Sequence, residues 1–209
     1  MIVTPDSGTT LIRGADLVAT PWKNGGGVTR EVAAFPQSAK LDGFVWRVSI
    51  ADVAQPGPFS RFDGIDRTLV LLSGAGMLLD EANGPTHALK QPLEMARFAG
   101  ETAIDARLVD GATRDFNLMV RRGAATGEVE VWQAQVEGAA GAMGAASIRH
   151  LSADAVLLFC AAGSIDVTLG DATPVTLAID DTLHIQSPDG LACKVSGEGA
   201  LLAIRLHYA

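Results

Sequence analysis

Thr68-Leu69-Val70-Leu71-Leu72-Ser73-Gly74-Ala75-Gly76 is an apolar run closed by two glycines, and part of it returns later in the chain. Leu158-Phe159-Cys160-Ala161-Ala162-Gly163 matches Leu71–Gly76 at an offset of 87 residues, which takes Gly76 to Gly163. At that offset Phe98 meets Ile185, Ala106 meets Cys193, Leu108 meets Val195 and Met119 meets Leu206. Spacing kept over several apolar segments predicts a duplicated unit. The segments are short, and turn residues such as Asn83-Gly84-Pro85 divide them. None carries helical periodicity, so the expected class is all-β. Thr68–Leu79 reads as a strand pair or one long bent strand, broken at Gly74 and Gly76.

Upstream of this run, Gly25-Gly26-Gly27 predicts a tight turn or bulge. Val28–Ala34 and Phe44–Asp52 then alternate with strand period. In the second, Phe44, Trp46, Val48 and Ile50 share one face, with Arg47, Ser49 and Ala51 on the other. A bulky apolar face backed by arginine and serine predicts a strand that lines a pocket. Downstream, Gly138–Ala146 offers too little side chain for a core and reads as a linker. The expected halves are residues 1–137 and 147–209, joined by 138–146.

Composition narrows the function. Of 209 residues 48% are hydrophobic, enough for a sizeable core, and the net charge of −8 argues against a nucleic-acid binder. The apolar runs are too short to span a membrane, and Met1–Thr20 lacks the apolar centre of a signal peptide. Cys160 and Cys193 stand far apart in apolar surroundings, which predicts two reduced core thiols. The expected location is cytoplasmic, with neither membrane nor nucleic acid as partner.

Three dense blocks carry a resemblance. They are Pro21-Trp22-Lys23-Asn24-Gly25-Gly26-Gly27-Val28-Thr29-Arg30-Glu31, Trp46-Arg47-Val48-Ser49-Ile50-Ala51-Asp52-Val53 and Gly57-Pro58-Phe59-Ser60-Arg61-Phe62-Asp63-Gly64-Ile65-Asp66-Arg67-Thr68-Leu69. With Asp115-Phe116-Asn117-Leu118-Met119-Val120-Arg121-Arg122, they resemble the HutD/Ves family. The resemblance implies a bicupin, two cupin-like halves of jelly-roll β-barrel type in one compact unit. It also implies a link to histidine utilisation and regulatory binding of a small pathway intermediate, with no established catalysis.

A metal-binding cupin sets two histidines one residue apart, an acidic residue about four positions on, and a third histidine on a later strand. Aligned through Gly74, the acidic position falls on Arg67 and the third histidine near Arg97. The histidine pair falls on Arg61 and Asp63, or on Ser60 and Phe62. Arginine stays protonated and cannot ligate a cation, so the first half is expected to hold no metal. In the second half the offset yields His150, Asp154 and His184, with Ile148 at the first histidine position. That trio is the alternative metal site.

Fixed guanidinium groups suit carboxylates, which arginine clamps with two parallel hydrogen bonds. Lys23 and Arg47 are the first candidates to hold one, with Arg61 and Arg67 beside them. Asn24, Thr29, Glu31, Ser49, Ser60 and Asn117 are the expected hydrogen-bond partners, and Phe59 a wall. No cofactor is expected, because the dinucleotide-binding and phosphate-loop patterns are absent. The expected partner is a small carboxylate metabolite of the urocanate or N-formylglutamate type. The small-residue surface also allows a homodimer. The competing reading is an enzyme, working through the histidine trio or metal-free with Glu31 as general base.

Overall fold

The structure is a computed structural model that describes residues 8–37, 39–134 and 148–209. The expected linker at 138–146 lies outside these residues. The first part of the chain forms β1 (Thr9–Ile12), β2 (Ala19–Pro21), β3 (Gly27–Phe35), β4 (Trp46–Val53) and β5 (Gly57–Pro58). Next come β6 (Ile65–Ser73), β7 (Met77–Glu81), β8 (Thr86–Leu89), β9 (Met95–Ala99), β10 (Ile104–Leu108) and β11 (Thr113–Arg121). The remainder adds β12 (Ala125–Ala134), β13 (Ile148–Leu151), β14 (Ala155–Leu169), β15 (Val175–Ala178), β16 (Thr182–Gln186) and β17 (Leu191–Tyr208). Among the described residues no helix is long and apolar enough to cross a membrane.

Two compact units result. One is Leu17–Thr126 with Ala209; the other joins the chain up to Asp16 to Gly127–Tyr208. In the first unit a six-stranded sheet, β2-β3-β4-β11-β6-β9, faces a four-stranded one, β5-β10-β7-β8. Their facing sides bury Leu69, Leu71, Ala96 and Phe98 from the larger sheet against Met77, Leu79, Ile104 and Ala106 from the smaller. The outer face of the larger sheet carries Trp46, Val48, Ile50, Phe116 and Leu118, all buried. Strand alternation thus gives this sheet two dry faces.

In the second unit one seven-stranded sheet replaces the two. The 87-residue offset explains the difference. It carries β9 onto β16, β7 into the far end of β14, and β10 and β11 onto the two ends of β17. Where β6 and β7 are separated by Gly74-Ala75-Gly76, β14 runs through without a break. Both units are jelly-roll-like, but neither closes into the expected barrel, since the sheets of the first stay separate and those of the second merge.

The merger depends on glycine. Gly163 of β14 lies opposite Gly199 of β17, just beyond the register shift between Cys160 and Ala162. A Cβ on Gly163 would sit 1.9 Å from the Glu198 carbonyl oxygen, and one on Gly199 would sit 2.0 Å from that of Ala162. Gly163 also holds φ at 75°, in the left-handed region that burdens any other residue. Gly163→Ala is therefore expected to cost about 3 kcal/mol. A lower urea midpoint would show it, and an unchanged midpoint would contradict this account of the bend.

Candidate functional site

Cross-strand register decides which side chains meet inside the first unit. Glu31 of β3 lies opposite Ser49 of β4, and Thr29 opposite Ala51. Asn117 of β11 faces the same Ser49, Asp115 faces Ala51 and Met119 faces Arg47. On the other flank of β11, Met119 pairs with Arg67 and Asn117 with Leu69 of β6. Arg67 in turn lies opposite Phe98 of β9. Residues paired across strands share a face. Thr29, Glu31, Arg47, Ser49, Arg67, Asp115 and Asn117 thus all lie on the inner face of the larger sheet, toward the smaller one.

Arg67 is the anchor of this face. It is only 6% exposed. Its guanidinium lies over the rings of Phe59, Phe62 and Phe98 at 5.2, 5.8 and 5.1 Å, and cation–π attraction strengthens as water is excluded. Nη1 donates to the Ser60 carbonyl at 3.3 Å, while the buried Nε has no partner. Burial lowers the guanidinium pKa to about 10; Asp115 offsets part of this effect and Arg47 adds to it. It stays charged at neutral pH.

Arg47 is held differently. Its Nε donates to Glu31 Oε2 at 2.7 Å and its Nη1 to Ser49 Oγ at 3.2 Å. Its side chain is 12% exposed against 42% for Glu31, so this pair runs from the interior to the solvent. Thr29 accepts a 2.7 Å hydrogen bond from Trp22 Nε1. Asp115 is 2% exposed. Its Oδ2, like Asn117 Oδ1 and Thr113 Oγ1, is buried with no hydrogen-bond partner. Burial pushes the Asp115 carboxyl up to about 7; Arg67 pulls against this shift and Asp52 adds to it. Buried polar atoms are nearly always hydrogen-bonded; in the second unit Thr182 Oγ1 is likewise buried without a partner.

Other expected residues lie apart. Lys23 and Asn24 are exposed in the turn between β2 and β3, where Asn24 Oδ1 accepts the Gly26 N–H at 3.0 Å. Ser60 and Arg61 are exposed, and Arg61 Nε donates to the Glu101 carbonyl at 2.8 Å. Arg61 also lines a surface cleft of about 450 Å³ with Glu81, Asn83 and Glu101. Two carboxylates and one guanidinium make that cleft a poor host for an anion. Among the described residues no three His, Cys, Asp or Glu side chains gather around a common point, so the alternative trio is not assembled. His150 Nδ1 sits 3.1 Å from the Gly190 carbonyl, Asp154 accepts the Tyr208 N–H, and burial lowers the His184 pKa.

Sequence reasoning did not place Asp115, Phe62 or Phe98 beside the candidate residues, and it gave His87 no ligand role. The signal for Asp115 was present, because two residues before Asn117 on one strand means the same face. His87 lies opposite Leu79 and holds Glu81 at 2.8 Å, which turns that pair toward Phe98.

The titration of Asp115 fixes a stability profile. An unfolded carboxyl ionises near 3.8 and the folded one near 7, so only the unfolded chain releases the proton in between. Stability from the acid form is full below 3.8 and falls as pH rises toward 7. Asp115→Asn removes that loss, by up to about 4 kcal/mol. Its urea midpoint is expected to exceed the parent's at pH 8 and to converge with it near pH 4. A midpoint lower at pH 8 would contradict this environment for Asp115.

Known proteins bear on this arrangement. The HutD family profile matches residues 14–203. An uncharacterised 21.2 kDa protein in the hutC 3′ region of Pseudomonas putida is 34% identical over 195 residues, 93% of this chain and 96% of that protein. Among solved structures, a conserved protein of unknown function from Pseudomonas aeruginosa PAO1 aligns with a TM-score of 0.85 at 30% identity, covering 96% of this chain and all of that one. HutD from Pseudomonas fluorescens SBW25 aligns with a TM-score of 0.80 at 30% identity, over 96% of this chain and 99% of that one. The chain belongs to the HutD family.

Proposed function

We propose that the first jelly-roll unit binds a small carboxylate metabolite of histidine breakdown, of the urocanate or N-formylglutamate type, and serves to sense or buffer it. One observation carries this reading: two arginines, Arg47 and Arg67, lie on one inner face with buried polar atoms of Arg67 and Asn117 that lack partners. Guanidinium groups in a water-poor interior hold a carboxylate far better than they would in water. Arg67 is already caged by aromatic rings, so little conformational freedom is lost on binding. Ser49 and Asn117 orient the ligand, Phe59 walls it, and Lys23 at the exposed turn adds long-range attraction.

The histidine-utilisation setting comes from the family name and from the hutC neighbourhood of the P. putida relative. The P. fluorescens HutD structure was obtained in a formate condition, and formate is the smallest carboxylate. A cytoplasmic setting fits the free, buried thiols of Cys160 and Cys193.

Calorimetric titration with urocanate and N-formylglutamate tests the reading. Saturable binding to one of them is expected. Arg47→Ala is expected to weaken it by roughly 2–5 kcal/mol, and Lys23→Ala by about 1 kcal/mol or less. Equal affinity for the parent and Arg47→Ala would overturn the site.

A further inference from the structure

We propose that Asp115 takes part in the site as a neutral carboxylic acid that donates a hydrogen bond to the bound carboxylate, so that ligand and proton bind together. This rests on the carboxylate reading and assigns the site a further binding residue and a proton as co-ligand.

The surroundings of Asp115 set up this role. Its direct neighbours across the strands, Ala51 and Leu71, offer no hydrogen bond. Along its own strand Thr113 and Asn117 share its face, and both are neutral. The cation that acts on it is Arg67 of β6; Arg47 of β4 lies further along the same face, acts on Arg67 and is engaged by Glu31 of β3. Asp52 lies on the opposite face of β4 and adds negative potential. On the smaller sheet Glu81 and His87 hold each other, and Glu81 lines the surface cleft beside Arg61. Among the described residues no cation forms an ion pair with Asp115.

A carboxylate buried without a counter-ion or hydrogen-bond donor is strongly disfavoured, and protonation relieves it. The resulting O–H is a donor. A ligand carboxylate drawn in by Arg47 and Arg67 meets that donor at the centre of the same face. Were Asp115 ionised, two carboxylates would share one dry site and repel, as paired carboxylates do unless one carries a proton. Ligand binding therefore raises the proton affinity of Asp115, and by linkage the proton raises ligand affinity. No bond to carbon is made or broken. The proton comes from solvent and returns on release.

The test is calorimetry with N-formylglutamate and with formate, neither of which titrates between pH 6 and 8. Each would be measured at pH 6, 7 and 8 in phosphate and in Tris, whose ionisation enthalpies differ, for the parent and Asp115→Asn. The expected Kd of the parent is flat below about pH 7 and rises about tenfold per unit above it. Uptake approaches one proton per ligand at pH 8. Asp115→Asn is expected to bind with no pH dependence and no uptake. Parent binding without uptake, at equal Kd from pH 6 to 8, would overturn the proton-linked role while leaving the carboxylate site standing. Uptake that persists in Asp115→Asn would assign the proton elsewhere and overturn it as well. Absence of binding at every pH, for urocanate as well as for these two, would overturn both readings.

Discussion

A guanidinium inside a β-sandwich is costly, and much of the first unit is arranged around that cost. Arg67 sits on β6 in the row that holds Met119 and Phe98. Three phenylalanines surround its charge and a loop carbonyl takes one of its protons. Rings and a carbonyl replace only part of the lost hydration of a cation. The rest falls to the neighbourhood, where Asp115 compensates in part, and only while it is ionised. A cation kept in this way at an apolar centre is poor for stability and well suited to recognising an anion.

The second unit shows the same design without that charge. Shifted by 87 residues, Leu69 and Leu71 become Val156 and Leu158, which lie in an apolar core with Cys160, Leu183 and Leu201. Arg67 becomes Asp154, outside that core and engaged with the Tyr208 backbone. Both interiors are mainly apolar; the first also buries the charge of Arg67, and the second buries Trp132, Asp181 and Thr182 beside its aliphatic side chains. Close-packed aliphatics stabilise without offering a binding surface, and the proposed site is therefore placed in the first unit.

Much of this was legible in the sequence, and the gaps have physical causes. Period-two alternation put Arg47 and Ser49 opposite Trp46, Val48 and Ile50, because sheet geometry fixes side-chain direction over short distances. The offset found the repeat, because paired cores keep their apolar positions. The glycine break was read in the first half at Gly74 and Gly76, and at the matching place in the second half, with Ala161 and Gly163, β14 continues. Whether glycine breaks a strand or bends it depends on the partner strand. Candidates near one another in sequence were also harder to sort. Lys23 and Arg47 look equivalent along the chain, but one is at an exposed turn and the other is tied inward by Glu31 and Ser49. Strand period puts Asp115 on the face of Asn117, but its near-complete burial is visible only in the fold.

The central claim is that the inner face bearing Arg47 and Arg67 receives a carboxylate. A crystal structure grown with N-formylglutamate at about pH 6 tests it most directly, since the binding linked to Asp115 is strongest on the acid side. The account predicts a ligand carboxylate within hydrogen-bond distance of both guanidinium groups, with Asn117 and Asp115 completing its contacts. Ligand found only in the surface cleft of Arg61, Glu81 and Glu101, with the inner face unchanged, would contradict it.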